Sequence, residues 1–220
     1  AVTPAGSLYE VDMRLRPSGN AGLLVTSLDA FAEYQHQNAW TWEHQALVRA
    51  RVVAGSEALA DKFDELRGSI LRRERDPQAL RDDVVSMRHK MRDHLGTKGE
   101  GAKSERGDGE NASTDATFSL KHDAGGMVDI EFLCQYAVLA LSHQTPALIT
   151  YSDNIRILET LAESGHITQV EAEQLREAYL AYRSRTHRAA LTGEKALGQV
   201  KEFAEHRQIV TALWQRFLEP

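Results

Sequence analysis

The chain has 220 residues, of which 42% are hydrophobic and 26% are charged, a composition typical of globular proteins. Its formal net charge of −6 argues against general binding to a nucleic-acid phosphate backbone. The single cysteine, Cys134, excludes a disulfide within the chain and fits a cytosolic location, and the apolar run at 132–141 is too short to span a membrane.

The first residues predict a β-hairpin. Residues 8–16 read LYEVDMRLR, and from Tyr9 to Arg16 apolar and charged side chains alternate with the period of a strand that has one buried face. Turn-forming residues follow at 17–22 (PSGNAG), and a second apolar run, LLVT, occupies 23–26. The chain opens AVTPAGS, with neither a leading Met nor a basic-then-apolar leader, which suggests a piece of a longer protein.

Downstream, apolar residues recur at intervals of three and four, which predicts helices. Their expected ranges are 28–37, 40–53, 56–74, 77–95, 127–144, 153–164, 168–191 and 199–218, with a short strand and a turn at 117–126. Candidate capping residues are Ser27, the Asp76–Pro77 pair, Ser152 and the Thr168–Glu171 capping box. Four residues of the second helix are expected in the core: Trp40, Trp42, Leu47 and Val48.

This pattern predicts a mainly α protein, a helical bundle preceded by a short β-hairpin. We place a boundary between residues 1–53 and 54–220. The stretch at 97–116 is rich in glycine and mixed charge, has no apolar periodicity and is expected to be a flexible loop.

Several catalytic motifs are absent. The string GTKGEGAKS at 96–104 approaches a phosphate-binding loop, but Ala102 intrudes before Lys103, and the segment follows a helix instead of a strand. The nine histidines form no HExxH, one cysteine gives no zinc framework, and there is no GxSxG for a serine nucleophile.

Two carboxylate pairs remain as candidates. On a strand, Glu10 and Asp12 share a face and could meet one Mg²⁺, while Arg14 and Arg16 beside them could clamp phosphate. The alternative is a half-exposed strand whose charges compensate one another.

The second pair is Asp129 and Glu131, which follow Gly125 and Gly126 where a helix begins. Acidic residues are favourable at the positive end of a helix, which is the structural alternative to a functional site. Glu131 lies among apolar neighbours, and a buried carboxylate needs a partner such as a nearby arginine.

Three long strings carry a family resemblance: LYEVDMRLRPSGNAGLLVTSLDAFAEYQHQ, HDAGGMVDIEFLCQY and YSDNIRILETLAESG. They closely resemble the glutamate–ammonia ligase (glutamine synthetase) adenylyltransferase family, and the resemblance covers nearly the whole chain except 97–116. That family is a bifunctional bacterial enzyme, whose N-terminal half removes AMP from glutamine synthetase and whose C-terminal half adds it. The string WTWEHQALVRAR resembles the adenylylating half.

The resemblance implies a polymerase β-like nucleotidyltransferase domain followed by a helical bundle, so that residues 1–53 would be the end of the first. Asp12 matches the third metal-binding aspartate of that superfamily, which implies a catalytic Asp12 that holds Mg²⁺ beside the α-phosphate of ATP. Arg14 and Arg16 would contact phosphate or a partner, and Glu10 has no matching role.

The chain departs from the family pattern at one point. The Gly6–Ser7 pair stands only five residues before Asp12, and no Asp-x-Asp strand exists elsewhere, so two of three expected metal ligands are missing. The isolated chain is therefore expected to be inactive.

The resemblance also implies glutamine synthetase as protein substrate, glutamine and a PII-type signal protein as regulators, and a cytoplasmic location. An alternative function is a regulatory or docking module, in which the helices from 127 to 218 receive such a signal.

Overall fold

The computed structural model describes residues 2–4, 6–7, 12–13, 15–97 and 116–219. These residues form eight α-helices, which confirms a mainly α protein. The helices are α1 (Leu28–Gln37), α2 (Thr41–Val48), α3 (Glu57–Leu71), α4 (Pro77–Leu95), α5 (Met127–Leu141), α6 (Asn154–Glu163), α7 (Gln169–Thr192) and α8 (Ala204–Leu218). The strands are β1 (Val2–Thr3), β2 (Gly6–Ser7), β3 (Thr117–Ser119) and β4 (Leu197–Gln199).

Local capping signals predicted several helix starts correctly. Helices α1 and α4 have the predicted bounds, and the Ser27 hydroxyl accepts a hydrogen bond from the Ala30 amide at 3.2 Å. At α4, Asp76 Oδ1 accepts from the Ala79 amide at 2.7 Å, ahead of a proline at the first helical position. The capping box at the start of α7 is also present.

Other boundaries differ from the prediction. The helix predicted at 40–53 ends at Val48, because buried Arg67 donates hydrogen bonds to the Leu47 and Val48 carbonyls and terminates it. Leu47 and Val48 are in the core as predicted, but Trp40 precedes the helix and is 71% exposed, so its predicted burial is wrong. Asp153, not Ser152, caps α6.

The predicted hairpin does not form as expected. Residues 12–13 and 23–26 adopt no strand, and residues 8–11 and 14 lie outside the described part of the chain. The apolar side chains of Leu23, Leu24 and Val25 are all more than 60% exposed. A two-stranded hairpin needs a surface to pack against, and among the described residues these side chains have none.

Helix α5 is the centre of the bundle. It packs against α2, α4, α6, α7 and α8, and its apolar run is buried on nearly every side. Because every neighbour of α5 touches the same core, a polar residue on this helix is either paired inside the protein or directed into a gap between helices.

A small antiparallel sheet closes one end of the bundle. Strand β3 pairs with β4 in a register that places Phe118 opposite Gly198. The predicted start of the last helix at residue 199 is wrong: α8 starts at Ala204, because Leu197–Gln199 pairs with β3 instead. A Cβ at Gly198 would lie 2.6 Å from Leu120 and 2.8 Å from Phe203, so only glycine fits there.

Most of the predicted flexible loop, residues 98–115, lies outside the described residues. Within the part that is described, no helix combines the length and the apolar character needed to cross a bilayer.

Candidate functional site

The charged N-terminal segment is described in part. Asp12 is exposed, and the guanidinium of Arg16 donates hydrogen bonds to backbone carbonyls both before and after Arg16 in the sequence. It donates to the carbonyls of Met13 at 2.5 Å, Gly22 at 3.2 Å and Asn20 at 3.3 Å. Arg16 therefore fixes the loop that follows Asp12.

The other members of the charged face lie elsewhere. Glu10 and Arg14 are outside the described residues, and Gly6–Ser7 forms strand β2. The roles predicted for this face stay predictions.

The second carboxylate pair is divided between two sides of α5. Asp129 is only 4% exposed, whereas Glu131 is half-buried on another side of the helix. Arg88 on α4 donates from Nε to Asp129 Oδ1 at 2.5 Å, and the Gly125 amide donates to Oδ2 at 2.6 Å. Burial raises the pKa of Asp129, and the charge of Arg88 opposes that rise.

Arg88 is the partner that sequence analysis did not identify. Its side chain has no exposed surface, and Nη2 donates to the carbonyls of His122 at 2.8 Å and Asp123 at 3.4 Å. Its Nη1 is buried without a hydrogen-bond partner among the described residues. The burial of Arg88 could have been predicted from the sequence, because Arg88 follows Leu80 and Val84 at intervals of four residues on the buried face of α4.

Hydrogen bonds from several neighbouring segments fix the loop between β3 and α5, residues 120–126. The Tyr182 hydroxyl of α7 donates to the Gly125 carbonyl at 2.9 Å, and Arg207 of α8 donates to the Ala124 carbonyl at 3.2 Å. The Asp123 carboxylate accepts from the backbone amides of Ser119 and Thr97. Asp129 and Arg88 are thus part of a fixed, hydrogen-bonded unit.

A cavity of about 300 Å³ lies next to this unit. It is bounded by α4, by the loop at Ala124 and Gly125, by the start of α5 and by α8. Its ionisable lining residues are His89, Arg92, Asp129 and Glu219.

Glu131 belongs to a different group of polar side chains. Its carboxylate accepts a long hydrogen bond, 3.4 Å, from the Tyr179 hydroxyl. Burial and the charge of Glu131 raise the pKa of Tyr179. Nearby, Arg49 donates to Asn154 at 3.2 Å, which ties the end of α2 to the start of α6.

No set of three or more His, Cys, Asp or Glu side chains that could hold a metal ion occurs among the described residues. Asp129, although predicted as a possible site-facing carboxylate, already accepts from a guanidinium and a backbone amide. Its observed contacts are those of a residue that fixes the loop.

A second cavity, of about 350 Å³, is a mainly apolar groove between α1, α3 and the segment that joins α2 to α3. Phe31 and Phe63 meet in its wall with ring centroids 6.1 Å apart.

Two family profiles match the chain. One, described as glutamate-ammonia ligase adenylyltransferase, covers residues 1–66. The other, described as GlnD PII-uridylyltransferase, covers residues 85–214.

Curated relatives match nearly the whole chain. A protein of Pseudomonas aeruginosa is 54% identical over 216 residues, which are 98% of this chain and 22% of the relative. Proteins of Pseudomonas syringae pv. tomato and Acinetobacter baylyi are 53% and 48% identical over 96% and 98% of the chain. All three are named bifunctional glutamine synthetase adenylyltransferase/adenylyl-removing enzyme. The chain spans about a fifth of the length of these relatives, 21–22%.

Proposed function

The chain belongs to the glutamate–ammonia ligase adenylyltransferase family, and we propose on that premise that it is a segment of an enzyme that transfers AMP from ATP to a tyrosine hydroxyl of glutamine synthetase. The observation that carries this proposal is 54% identity across 98% of the chain to a protein named for both addition and removal of the adenylyl group. The enzyme would thereby regulate nitrogen assimilation in the cytoplasm.

The proposed domain division assigns residues 1–53 to the end of a polymerase β-like nucleotidyltransferase domain and 54–220 to a helical domain. The two family profiles support a division in this part of the chain, because one stops at residue 66 and the other starts at residue 85.

Asp12 is the proposed catalytic residue of the segment. Its exposed carboxylate is the oxygen ligand that Mg²⁺ prefers, and a bound Mg²⁺ would neutralise charge on the phosphates of ATP. The described residues contain no complete metal cluster, so the segment would supply one ligand to a site completed by other parts of the enzyme. Arg14 and Arg16 would contact phosphate or the protein substrate. The hydrogen bonds of Arg16 to the Met13, Asn20 and Gly22 carbonyls support an additional role in positioning Asp12.

The proposal is tested with a hybrid in which this segment replaces the matching segment of the Pseudomonas aeruginosa relative. We expect the hybrid to transfer radiolabelled AMP to glutamine synthetase, and the isolated chain not to. Asp12→Asn should abolish transfer in the hybrid, whereas Asp61→Asn, at an exposed position on α3, should leave it unchanged. Full transfer by the Asp12→Asn hybrid would show that the metal-ligand assignment is wrong.

A second candidate function is a regulatory or docking module that binds a PII-type signal protein or glutamine synthetase, with glutamine as an effector of the whole enzyme. The profile described as GlnD PII-uridylyltransferase, which covers residues 85–214, favours it. Capture of purified PII protein by the immobilised chain, altered by glutamine, is the expected result. Binding of neither protein at high micromolar concentration would argue against this function.

A further inference from the structure

We propose that the cavity between α4, the Ala124–Gly125 loop and α8 binds a small anion, a carboxylate or a phosphate, with Arg92 as its anchor. The cavity of about 300 Å³ has room for such a ligand together with water, and no function assigned above uses it.

The expected sign of the ligand's charge follows from which ionisable side chains of the cavity already have a partner within the protein. Asp129 is paired with Arg88, whose Nε lies 2.5 Å from its carboxylate. Glu219 Oε1 lies 3.2 Å from His89 Nε2, so this second carboxylate also has a partner within the protein. Arg92 is half-buried, and its charge acts on Asp129. Its guanidinium makes no hydrogen bond or ion pair with the described residues, so it is the lining group left to bind a ligand.

A cation is a poorer match for the same cavity. It would have to compete with Arg88 for Asp129 or with His89 for Glu219, and Arg92 would repel it. A guanidinium, in contrast, offers a planar fork of donors that matches carboxylate and phosphate oxygens.

The remaining walls suit an anion that is partly removed from water. Thr211 and Gln215 on α8 bring a hydroxyl and an amide to the cavity, and Trp214, 7% exposed, gives an apolar wall. The loop wall is fixed by the hydrogen bonds to the Ala124 and Gly125 carbonyls, so little ordering would accompany binding.

Ligand-dependent stability of this chain provides the test. Its thermal unfolding midpoint is measured at a single fixed pH. The additives are sodium acetate, inorganic phosphate, and acetamide as the neutral isostere of acetate, all against sodium chloride at matched ionic strength. We expect a saturable rise of about 3 °C or more with acetate, phosphate or both, and none with acetamide. The responding anion identifies the chemical class.

Variants test whether the rise in the unfolding midpoint depends on Arg92. Arg92→Gln should remove the saturable rise and Arg92→Lys should retain part of it. Arg156→Gln, which removes the same charge at an exposed position on α6, should leave the rise intact. In parallel, titration with acetate or phosphate should shift the indole N–H resonance of Trp214, assigned with Trp214→Phe. An unchanged midpoint with both anions, or the same rise in Arg92→Gln as in the parent chain, would overturn the proposal.

Discussion

Buried arginines support this protein by binding backbone carbonyls. Arg67 donates to the carbonyls of Leu47 at 3.1 Å, Val48 at 2.7 Å and Ile149 at 2.9 Å. Burial lowers the pKa of Arg67, but a guanidinium stays charged at neutral pH. Because several donors point in fixed directions, one such side chain satisfies carbonyls at the end of a helix and in a neighbouring segment.

The ion pair between Arg88 and Asp129 should dominate the stability of its region. In Asp129→Asn, the fully buried guanidinium of Arg88 faces a neutral amide instead of a carboxylate. We therefore expect the free energy of unfolding to fall by about 3–5 kcal/mol. Urea denaturation followed by circular dichroism measures it. The control is Glu173→Gln, whose partner Arg176 is 40% exposed and whose loss should cost less than about 1 kcal/mol. Equal, small losses in both variants would contradict this prediction.

One buried and one half-buried histidine, His44 and His122, predict how stability depends on pH. Burial is the main cause that lowers the pKa of His44 and of His122 below the ordinary value of 6.5. As the pH falls below 6.5, the unfolded chain takes up protons that the folded chain does not yet bind, so the free energy of unfolding decreases.

We therefore expect the urea midpoint to fall between about pH 7.5 and 5.5, and His44→Gln to flatten this dependence. Glutamine can still donate to the Gln35 carbonyl that His44 Nε2 contacts at 3.0 Å. His187→Gln, at an exposed position, is the control and should keep the parent slope. A slope as steep in His44→Gln as in the parent chain would show that His44 does not carry the effect.

The loop between β3 and α5 is closely packed against its neighbours. Gly125 has φ +75°, and a Cβ there would lie 3.0 Å from the Arg207 carbonyl oxygen and 3.1 Å from Thr211 Oγ1. Gly193 after α7 has nearly the same backbone, φ +70°, but open space around it. A comparison of the two glycines therefore separates two free-energy costs of adding a side chain: that of a left-handed backbone and that of close packing.

Alanine at each position should measure that difference. Gly193→Ala should lose about 1–2 kcal/mol from backbone strain. Gly125→Ala should lose that amount and about 1–3 kcal/mol more, because α8 must move away from the new methyl group. Chemical denaturation of both variants tests the prediction, and equal losses would mean that the loop can shift at little cost.

The sequence predicted those helix starts that are determined by a capping residue next to the helix. Ser27, Asp76 and Thr168 each accept a hydrogen bond from a backbone amide three residues later, and the starts of α1, α4 and α7 were predicted from them. Strand β4 was not predicted, because β3, the strand that gives it its hydrogen bonds, lies far away in the sequence.

Prediction of the candidate site had the same limit, because it depends on contacts between residues that are far apart in the sequence. Helical spacing separates Asp129 from Glu131 but does not say which faces an arginine, and the Arg88 partner comes from another helix. The predicted roles of Asp12 and its neighbours rested on family resemblance, since the sequence pattern alone favoured a strand whose charges compensate one another.

At the scale of the whole molecule, one core joins the N-terminal helices to the bundle. Helix α2 packs against α3, α4 and α5, and Leu47 and Val48 belong to the same buried cluster as α5. The described residues before α1, in contrast, contribute little buried surface. A cut at the proposed boundary after residue 53 would therefore remove core, whereas a cut before Ser27 would not.

Two truncated chains test this difference. The 54–220 chain loses the Leu47 and Val48 carbonyls, so Arg67 keeps only its bond to Ile149, and apolar surface of α5 is exposed. We expect it to unfold at a clearly lower urea concentration than the whole chain, with a shallower transition. The 27–220 chain retains α1 with its Ser27 cap and should match the whole chain closely. If 54–220 proved as stable as the whole chain, the rest of the bundle would be stable without α1 and α2, and this prediction would be wrong.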